Sequence, residues 1–574
     1  MNLAMASSSW QSQQQTIDAE ISSLEESLRA LRRRRNTLSP ISSLPAEIIA
    51  AIFILARLPG SDGRPDIRVT QVCHRWREIV LDHPLFWSHI NISAVNPAGM
   101  TEMLARAKMA PLYLEATIPR YNTCRWEDAG LVTFQKVLQD HVSHIYRLQI
   151  SAKSSQLQRI LEGVISPAPT LEHLSLSFEM GYEGPSLTSS LRGSVPDTLF
   201  DSTTPKLSFL ELCNCDISWK SPLLKGLKHL ETMRLSSIRV AKPSLTDWLD
   251  ALNEMPQLKK LLIHSASPFV APFPFTHPER TVTLPSLVHL DISAPWNDCG
   301  LALAHLVLPS LTSLRVTASS GQPKVRKLQK ILPYVAQHAH GPQDTYPLQS
   351  LTIYSERTGV NILAWPAFNI NDTEKHARPS ERLALSFKCT NGHLDVLDDL
   401  SRILDAAVTA LPLDNLVTFT SRGDTRLGLD ANFWRRQEPR WPLLKHLHLG
   451  RLPARVLREM ILQDNGRRER PVFPSLTRLE LINCTLSARS TLRLCDALMN
   501  RVEQGVPLEV LDLRWCRFAN NLAVQLLSEI VVDVWAPKEV ETFEGRMDST
   551  WDGARGPFAP DDDSEEEGYY DICL

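Results

Sequence analysis

The amino-acid sequence predicts an α/β solenoid, in which repeated strand–helix units stack on one another. A chain of 574 residues is too long for one ordinary globular core. The phrase Leu-x-x-Leu-x-Leu returns many times, first clearly at Leu171–Leu176. Stretches with helical spacing of apolar residues, such as Leu245–Leu252, lie between the phrases. A unit that recurs every ~20–50 residues is typical of proteins that present a long surface to another protein.

The repeated Leu-x-x-Leu-x-Leu phrases predict where the strands lie. They begin 23 to 37 residues apart before residue 348 and 32 residues apart after residue 444, with a degenerate stretch between these two positions. Because side chains alternate along a strand, the leucines should point into the core and the residues between them outward. We expect one parallel sheet on the concave face of a horseshoe. The phrases begin at Ile145, Leu171, Leu207, Leu230, Leu258, Leu287, Leu311, Leu348, Leu444, Leu476 and Leu508.

Composition narrows the class of protein. The net charge is −3, and seven carboxylates stand among the last fourteen residues. Because nucleic-acid-binding proteins carry an excess of positive charge, we expect no nucleic-acid-binding surface. The amino terminus lacks the pattern of a secretory signal, and the longest apolar run, Ile48–Ala56, is too short to span a bilayer. Ten cysteines scattered through a long chain are typical of a protein whose thiols stay reduced. We expect a cytoplasmic or nuclear protein that binds no membrane.

Four segments are expected along the chain. Residues 1–39 form an amino-terminal helix, 40–93 a small helical domain, 94–535 the solenoid and 536–574 an acidic, disordered tail. The first helix has heptad spacing, which predicts either a short coiled coil that self-associates through residues 16–38 or a helix folded onto its own protein. Its seam consists of Ile17, Ile21, Leu24, Leu28, Leu31 and Leu38, with Arg35 at the skipped position.

The small helical domain carries more apolar surface than it can bury. Pro45 stands at the first turn of a helix, where its missing N–H costs nothing. Apolar residues then cover more than half of the helix circumference between Ile48 and Leu55. About fifty residues cannot bury that area alone. The helix should therefore dock either on another protein or on the first repeat.

This domain resembles the F-box family. The matching residues are Leu44, Pro45, Glu47, Ile48, Ile52 and Phe53, then Val72, Cys73, Arg75, Trp76 and Arg77, then Pro84, Phe86 and Trp87. The resemblance implies that the domain binds a Skp-type adaptor, which links it to a cullin scaffold. The residues expected to bind the adaptor are Leu44, Pro45, Glu47, Ile48, Ile49, Ile52, Phe53, Val72, Cys73 and Trp76.

The repeats resemble those of leucine-rich-repeat proteins, and an F-box followed by such repeats is a familiar combination. It implies that outward residues of the strands bind a protein substrate. Two insertions, 268–280 and 433–441, could shape the rim, and the second is equally compatible with an interface hot spot or a packed loop. The residues expected to bind the substrate are Arg234, Tyr354, His446, His448, Arg478, Glu480, Asp512 and Arg514.

Residues that could carry catalysis are sparse. Cys215, Cys484 and Cys516 share one position of the repeat, which predicts small buried residues rather than nucleophiles or metal ligands. His446 and His448 leave one face of a strand, but no third ligand stands nearby. No phosphate-binding or hydrolase motif occurs. We expect no catalytic residue, metal or cofactor; an unrecognised hydrolase would need a deep pocket.

The sequence therefore leads to one hypothesis with one main alternative. The chain is expected to be the non-catalytic substrate-recognition subunit of a cullin-type ubiquitin ligase. Its F-box would hold the Skp-type adaptor, and its repeats would hold a protein substrate that the sequence does not identify. The alternative is an F-box protein that acts as an interaction scaffold outside any ligase.

Overall fold

The structure is a computed structural model that divides into two compact units, Met1–Leu207 and Ser208–Cys573. The predicted acidic tail beyond residue 537 and the insertion at 268–279 lie outside the described residues. The four predicted segment boundaries stay a prediction. The described residues are 2–56, 67–93, 95–118, 128–179, 193–240, 244–264, 280–320, 325–339, 347–356, 359–366, 381–389, 397–422, 429, 431–450, 472–518 and 522–537.

The first unit begins with helices and continues with alternating strands and helices. Its first four strands pair in parallel in chain order. One buried row crosses all four of them through Ile90, Leu114, Leu148 and Leu174. The elements are α1 Asn2–Thr37, α2 Ala46–Leu55, α3 His74–Asp82, α4 Pro84–Trp87, β1 His89–Asn91, α5 Pro97–Ala107, β2 Leu112–Thr117, α6 Asp128–His141, β3 Ile145–Lys153, α7 Ser154–Glu162, β4 His173–Glu179 and β5 Gly193–Ser194.

The second unit continues the strand–helix repeats. Its elements are β6 Phe209–Cys213, β7 Cys215–Ile217, β8 Thr232–Ser236, β9 Arg239–Val240, α8 Leu245–Asn253, β10 Lys260–His264, β11 Val282–Thr283, β12 His289–Pro295, α9 Trp296–His305, β13 Leu306–Val307, β14 Ser313–Ser320, α10 Val325–Ala339, β15 Ser350–Glu356, β16 Gly359–Trp365, β17 Leu383–Cys389, α11 Leu397–Ala410, β18 Thr418–Arg422, α12 Ala431–Gln437, β19 His446–Gly450, β20 Arg478–Leu486, α13 Ala488–Glu503, β21 Val510–Phe518, α14 Leu522–Ile530 and β22 Asp533–Trp535.

Buried rows hold the repeats of the second unit together. Strands β6, β8, β10, β12 and β14 pair in parallel and place Leu210, Met233, Leu261, Leu290 and Leu314 in one row. All five side chains are buried. Burying each such side chain contributes ~1.5–3 kcal/mol. The predicted sheet of stacked repeats with inward leucines is therefore confirmed as a large, mainly parallel sheet with helices, whereas the horseshoe curvature stays a prediction.

The prediction of an all-parallel sheet is wrong in the middle of the second unit. There the strand order is β14, β17, β16, β15, β18, and β16 pairs antiparallel with both of its neighbours. Glu356 pairs with Gly359, and so short a connection can join only antiparallel strands. A Cβ atom on Gly359 would lie 2.3 Å from the carbonyl oxygen of Phe387, so this approach requires glycine.

Arginines on several elements hold the turns that precede strands. The guanidinium of Arg501 is buried and donates to the carbonyl oxygens of Val472 at 2.6 Å and Leu476 at 3.3 Å. Burial lowers the pKa of this guanidinium. Arg382 donates in the same way to Leu311 and to His338 near the end of α10, and Arg440 donates to Leu411 and to Val408 near the end of α11. These turns thus depend on charged donors from a neighbouring element.

Replacing Arg501 by Met should destabilise the second unit by about 3 kcal/mol, because buried carbonyl oxygens lose a charged donor. The matched control is Arg493→Met, an exposed arginine on the same helix α13, which should change stability by less than about 0.5 kcal/mol. Urea unfolding of the full chain measures both values. Equal losses for the two variants would contradict the role assigned to Arg501.

A buried histidine makes stability depend on pH. The Nε2 atom of His338 on α10 donates to the carbonyl oxygen of Leu303 at 3.0 Å, and burial is the main cause that lowers the pKa of this imidazole from 6.5. The unfolded chain therefore binds the proton more readily than the native chain. The neutral imidazole stabilises the native state above about pH 6.5, and this stabilisation is lost as the pH falls below that value.

His338→Gln keeps a donor for Leu303 but cannot titrate. The fall in thermal unfolding midpoint between pH 7.5 and pH 5.5 should therefore shrink by about 2 °C relative to the unmodified chain. Exposed His229→Gln is the control and should leave the fall unchanged. Scanning calorimetry of the full chain gives both numbers, and an unchanged pH dependence in His338→Gln would refute the assignment.

Candidate protein-interaction sites

The turn before helix α2 is fixed by an arginine from helix α3. Pro45 precedes the first residue of α2, and its carbonyl oxygen accepts from the backbone N–H of Ile49 at 3.2 Å. The guanidinium of Arg75 donates to the carbonyl oxygen of Leu44 at 2.8 Å and to that of Ser42. Arg75 therefore holds the Leu-Pro turn against α3.

The inner face of α2 forms the core of this small domain. Ile49 and Phe53 are one helical turn apart, and both are buried. The ring of Phe53 packs on that of Trp76, with 4.7 Å between ring centroids and 57° between planes. Trp87 completes the core and donates its Nε1–H to the carbonyl oxygen of Val80 at 2.8 Å. The domain thus buries one face of α2 by itself.

The outer face of α2 is apolar and exposed. Ile48, Ile52 and Leu55 follow helical spacing, and their exposed fractions are 48%, 39% and 84%. Val72, just before α3, is 59% exposed. Large apolar side chains left in water on one helical face are typical of a protein-binding surface. We call Ile48, Ile52 and Leu55 the outer row of α2.

The structure separates the residues predicted to bind an adaptor into two groups. The alternative that α2 is sealed onto the first repeat does not fit the exposure of the outer row. Ile49 and Phe53 were expected at the contact surface, but they point inward because their helical positions face α3 and α4. The predicted residues that are exposed or half-buried are Leu44, Pro45, Glu47, Ile48, Ile52, Val72, Cys73 and Trp76.

This division of α2 has a direct test in stability. Phe53→Ala should lower the free energy of local unfolding of α2 and α3 by about 3–5 kcal/mol, because it opens a cavity beside Trp76. Exposed Ile52→Ala should change it by less than about 0.5 kcal/mol. Hydrogen exchange of the full chain, followed on peptides from α2 and α3, measures both. A larger effect for Ile52 than for Phe53 would reverse the inner and outer faces.

In the second unit, polar side chains of four neighbouring strands stand in one row. Strand register aligns His448 on β19, Glu480 on β20, Asp512 on β21 and Trp535 on β22. A hydrogen bond joins Nδ1 of His448 to the carboxylate of Glu480. His448 and Asp512 are buried, although both were expected to be outward surface residues. Glu480 contacts His448, and Arg478 and Arg514 contact Asp512.

Two arginines enclose the carboxylate of Asp512. Arg514 donates from Nε at 3.0 Å and from Nη2 at 2.7 Å, and Arg478 lies 3.6 Å away. The hydrogen bond to Asp512 raises the pKa of Arg514. Both guanidinium carbons lie over the ring of Trp535, at 4.6 Å and 4.7 Å from its centroid. Stacking on the ring adds to the charge pairing and fixes both arginines. We call this group the Asp512 cluster.

The other predicted substrate-binding residues are not all brought together. His446 stands on β19 beside Arg478 in the register, so it borders the Asp512 cluster. Tyr354 lies on β15, in the antiparallel part of the sheet. Arg234 lies on β8, where it pairs with Glu211 at 3.7 Å. The sheet therefore separates Arg234 and Tyr354 from the cluster by intervening strands.

Sequence reasoning missed an aromatic row in the first unit. Ring centroids of His89 and Tyr113 are 4.0 Å apart, those of Tyr113 and Tyr146 5.1 Å, and those of Tyr146 and His173 5.7 Å. The hydroxyl of Tyr146 donates to Glu172 at 2.8 Å, and this bond raises its pKa to about 12. Their positions in the sequence could have predicted the row. Each of three residues directly precedes a residue of the buried row, namely His89, Tyr113 and His173.

Two further predictions concern packing. In the insertion at 433–441, Phe433, Trp434 and Trp441 are buried and contact one another, which favours packing over an exposed hot spot. The segment is not a loop, because Phe433 and Trp434 lie on helix α12. The cysteines at the shared repeat position are buried, as predicted. A hydrogen bond with Cys484, followed by burial, raises the pKa of the Cys516 thiol far above its usual range. Such a thiol is a poor nucleophile.

The described part of the chain contains no group of three or more His, Cys, Asp or Glu side chains that could hold a metal ion. Within the same residues, no helix has both the length and the apolar composition needed to cross a bilayer.

Comparison with known proteins gives one family match. The F-box-like family matches residues 41–93. A search of curated proteins finds no match.

Two solved structures are similar over much of the chain. An internalin, inlF, from Listeria monocytogenes is 12% identical with a TM-score of 0.27, and the match covers 70% of this chain and 93% of the internalin. The plant peptide hormone receptor RGFR1 in complex with RGF2 is 11% identical with a TM-score of 0.20, over 74% of this chain and 53% of the receptor. We draw no conclusion from either structure at these TM-scores. The family match stands by itself: residues 41–93 are an F-box-like domain.

Proposed function

We propose that this chain is the substrate-recognition subunit of a cullin-type ubiquitin ligase. The observation that carries the proposal is the outer row of α2, an exposed apolar face on an F-box-like domain that is otherwise well packed. The domain would bind a Skp-type adaptor, and the adaptor would link the chain to the cullin scaffold. The strand repeats would bind the substrate.

Adaptor binding would use the exposed part of the predicted surface. Because Ile48 and Ile52 are 48% and 39% exposed, covering them would stabilise the complex by about 1 kcal/mol for each side chain. Ile49 and Phe53 would act indirectly, because they set the orientation of α2 from inside the domain. Arg75 would do the same through the Leu-Pro turn.

Substrate binding would use the edge of the second unit that contains the Asp512 cluster. Arg478 and Arg514 are held by Asp512 and Trp535 before any partner arrives, so little side-chain entropy would be lost on binding. Arginine and tryptophan are also enriched in interface hot spots. These features support a protein substrate with a carboxylate or another acceptor opposite the arginines. Arg234 and Tyr354 would lie at other parts of a long contact.

The chain would perform no bond chemistry itself. It would place a substrate near a separate conjugating enzyme, so that ubiquitin transfer is accelerated by proximity. A cytoplasmic or nuclear location belongs to the same proposal, since the ligase operates there. Thiols such as those of Cys299 and Cys516, which are not joined in disulfides, agree with that location.

The adaptor contact is tested with the full chain. Purified adaptor should bind the unmodified chain, and Ile48→Asp combined with Ile52→Asp should weaken binding by about 100-fold or more, because two carboxylates replace the buried apolar contact. Leu492→Asp, at an exposed leucine on α13, is the matched control and should bind normally. Titration calorimetry gives the dissociation constants.

The same samples distinguish the ligase from the scaffold. Adding cullin should yield a ternary complex with the unmodified chain and none with the double variant. A complex with the adaptor that excludes cullin would favour the scaffold alternative. Normal adaptor binding by the double variant would contradict the proposed contact itself.

A further inference from the structure

The long helix α1 carries an apolar seam that is exposed in the structure. The seam side chains from Ile17 to Leu31 are 47 to 71% exposed. With Ile17 at heptad position d, the a positions are Ile21 and Leu28, and the d positions are Ile17, Leu24 and Leu31. An exposed a/d seam of this length is the surface that a second helix covers in a coiled coil.

Charges beside the seam divide the helix into two halves. The flanking e and g positions hold Asp18, Glu20 and Glu25 toward the start of the helix. They hold Arg32 and Arg34 toward its end. One half of the seam is therefore bordered by negative charge and the other by positive charge, and this asymmetry sets the direction in which a partner helix fits.

We propose that a second copy of this chain covers the seam in the antiparallel orientation. Pairing a with d positions then places Ile21 against the partner's Leu31, and Leu28 against the partner's Leu24. In the same register Asp18 faces the partner's Arg32, and Glu20 faces the partner's Arg34. Two-fold symmetry doubles these contacts to four attractive pairs.

The parallel orientation brings like charges together. There Glu20 at position g would face the partner's Glu25 at position e, and Arg35 would meet the partner's Arg35 in one core layer. In the antiparallel dimer, Arg35 lies beside the partner's Ile17, and its charged end can reach water. One like-charged pair remains near the axis, Glu25 with the partner's Glu25. Each of these carboxylates is held at 2.8 Å by Arg29 of its own helix.

Reversing one charge separates the two orientations. Glu20→Arg places like charges opposite Arg34 in the antiparallel dimer and should raise the dissociation constant about tenfold. In a parallel dimer the same change would face the partner's Glu25 and tighten association. Combining Glu20→Arg with Arg34→Glu recreates the pair of positions 20 and 34 with its charges exchanged, so the second change reverses the loss only in the antiparallel register. Glu26→Arg, at an f position away from the seam, is the control.

Sedimentation equilibrium of the full chain measures all four proteins. The proposal expects a dimer that Glu20→Arg weakens, the double variant restores and the control leaves unchanged. Tighter association of Glu20→Arg, an unchanged dimer in that variant, or a monomeric unmodified chain would overturn it. The association does not rest on adaptor binding, since α1 precedes the F-box-like domain and its variants leave the outer row of α2 intact.

Discussion

Helix α2 is apolar on two faces, and its own domain covers only one of them. Ile49 and Phe53 pack against the rest of the domain, whereas Ile48 and Ile52 remain in water. A domain of about fifty residues has no further surface with which to cover the second face. The proposal that an external partner covers this face therefore rests on the size of the domain and the periodicity of one helix. The proposed role in a ligase depends on this constraint.

The repeats obey a different constraint. A single strand–helix unit cannot bury its own leucines, so each unit depends on its neighbours, and stability is distributed along the array. Side chains on the other face of the strands are then free to carry charge. Where a charge becomes buried, as at Asp512, one arginine of the same strand and one of the neighbouring strand neutralise it. Structural pairing thus leaves an ordered group of arginines beside Trp535.

Much of the fold follows from periodicity, because buried leucines recur at a spacing that only stacked strands satisfy. The hairpin at Gly359 could not be predicted in the same way. Its strand is apolar on successive residues from Ile362 to Trp365, so the alternation that marks the buried face is absent. The two faces of α2 show the same limit. Ile48 and Ile49 carry the same side chain, and only the packing of α3 and α4 decides which of the two is buried.

Charged and aromatic clusters depend on the register between paired strands, which cannot be predicted from a single repeat of the sequence. Glu480 and Asp512 are each visible as outward residues, but their alignment with Trp535 requires the strand pairing. The aromatic row of His89, Tyr113 and Tyr146 was missed for this reason. Partner-binding groups on repeat proteins are formed by neighbouring units, so they become apparent only when the units are aligned.

The most direct measurement of the central claim is hydrogen exchange of the full chain with and without a purified Skp-type adaptor. If the adaptor covers the outer row of α2, peptides spanning Ala46–Leu55 should gain protection from exchange, while the strands β18 to β22 should exchange as before. Exchange in α2 that is unchanged by saturating adaptor, or protection confined to the repeats, would contradict the account.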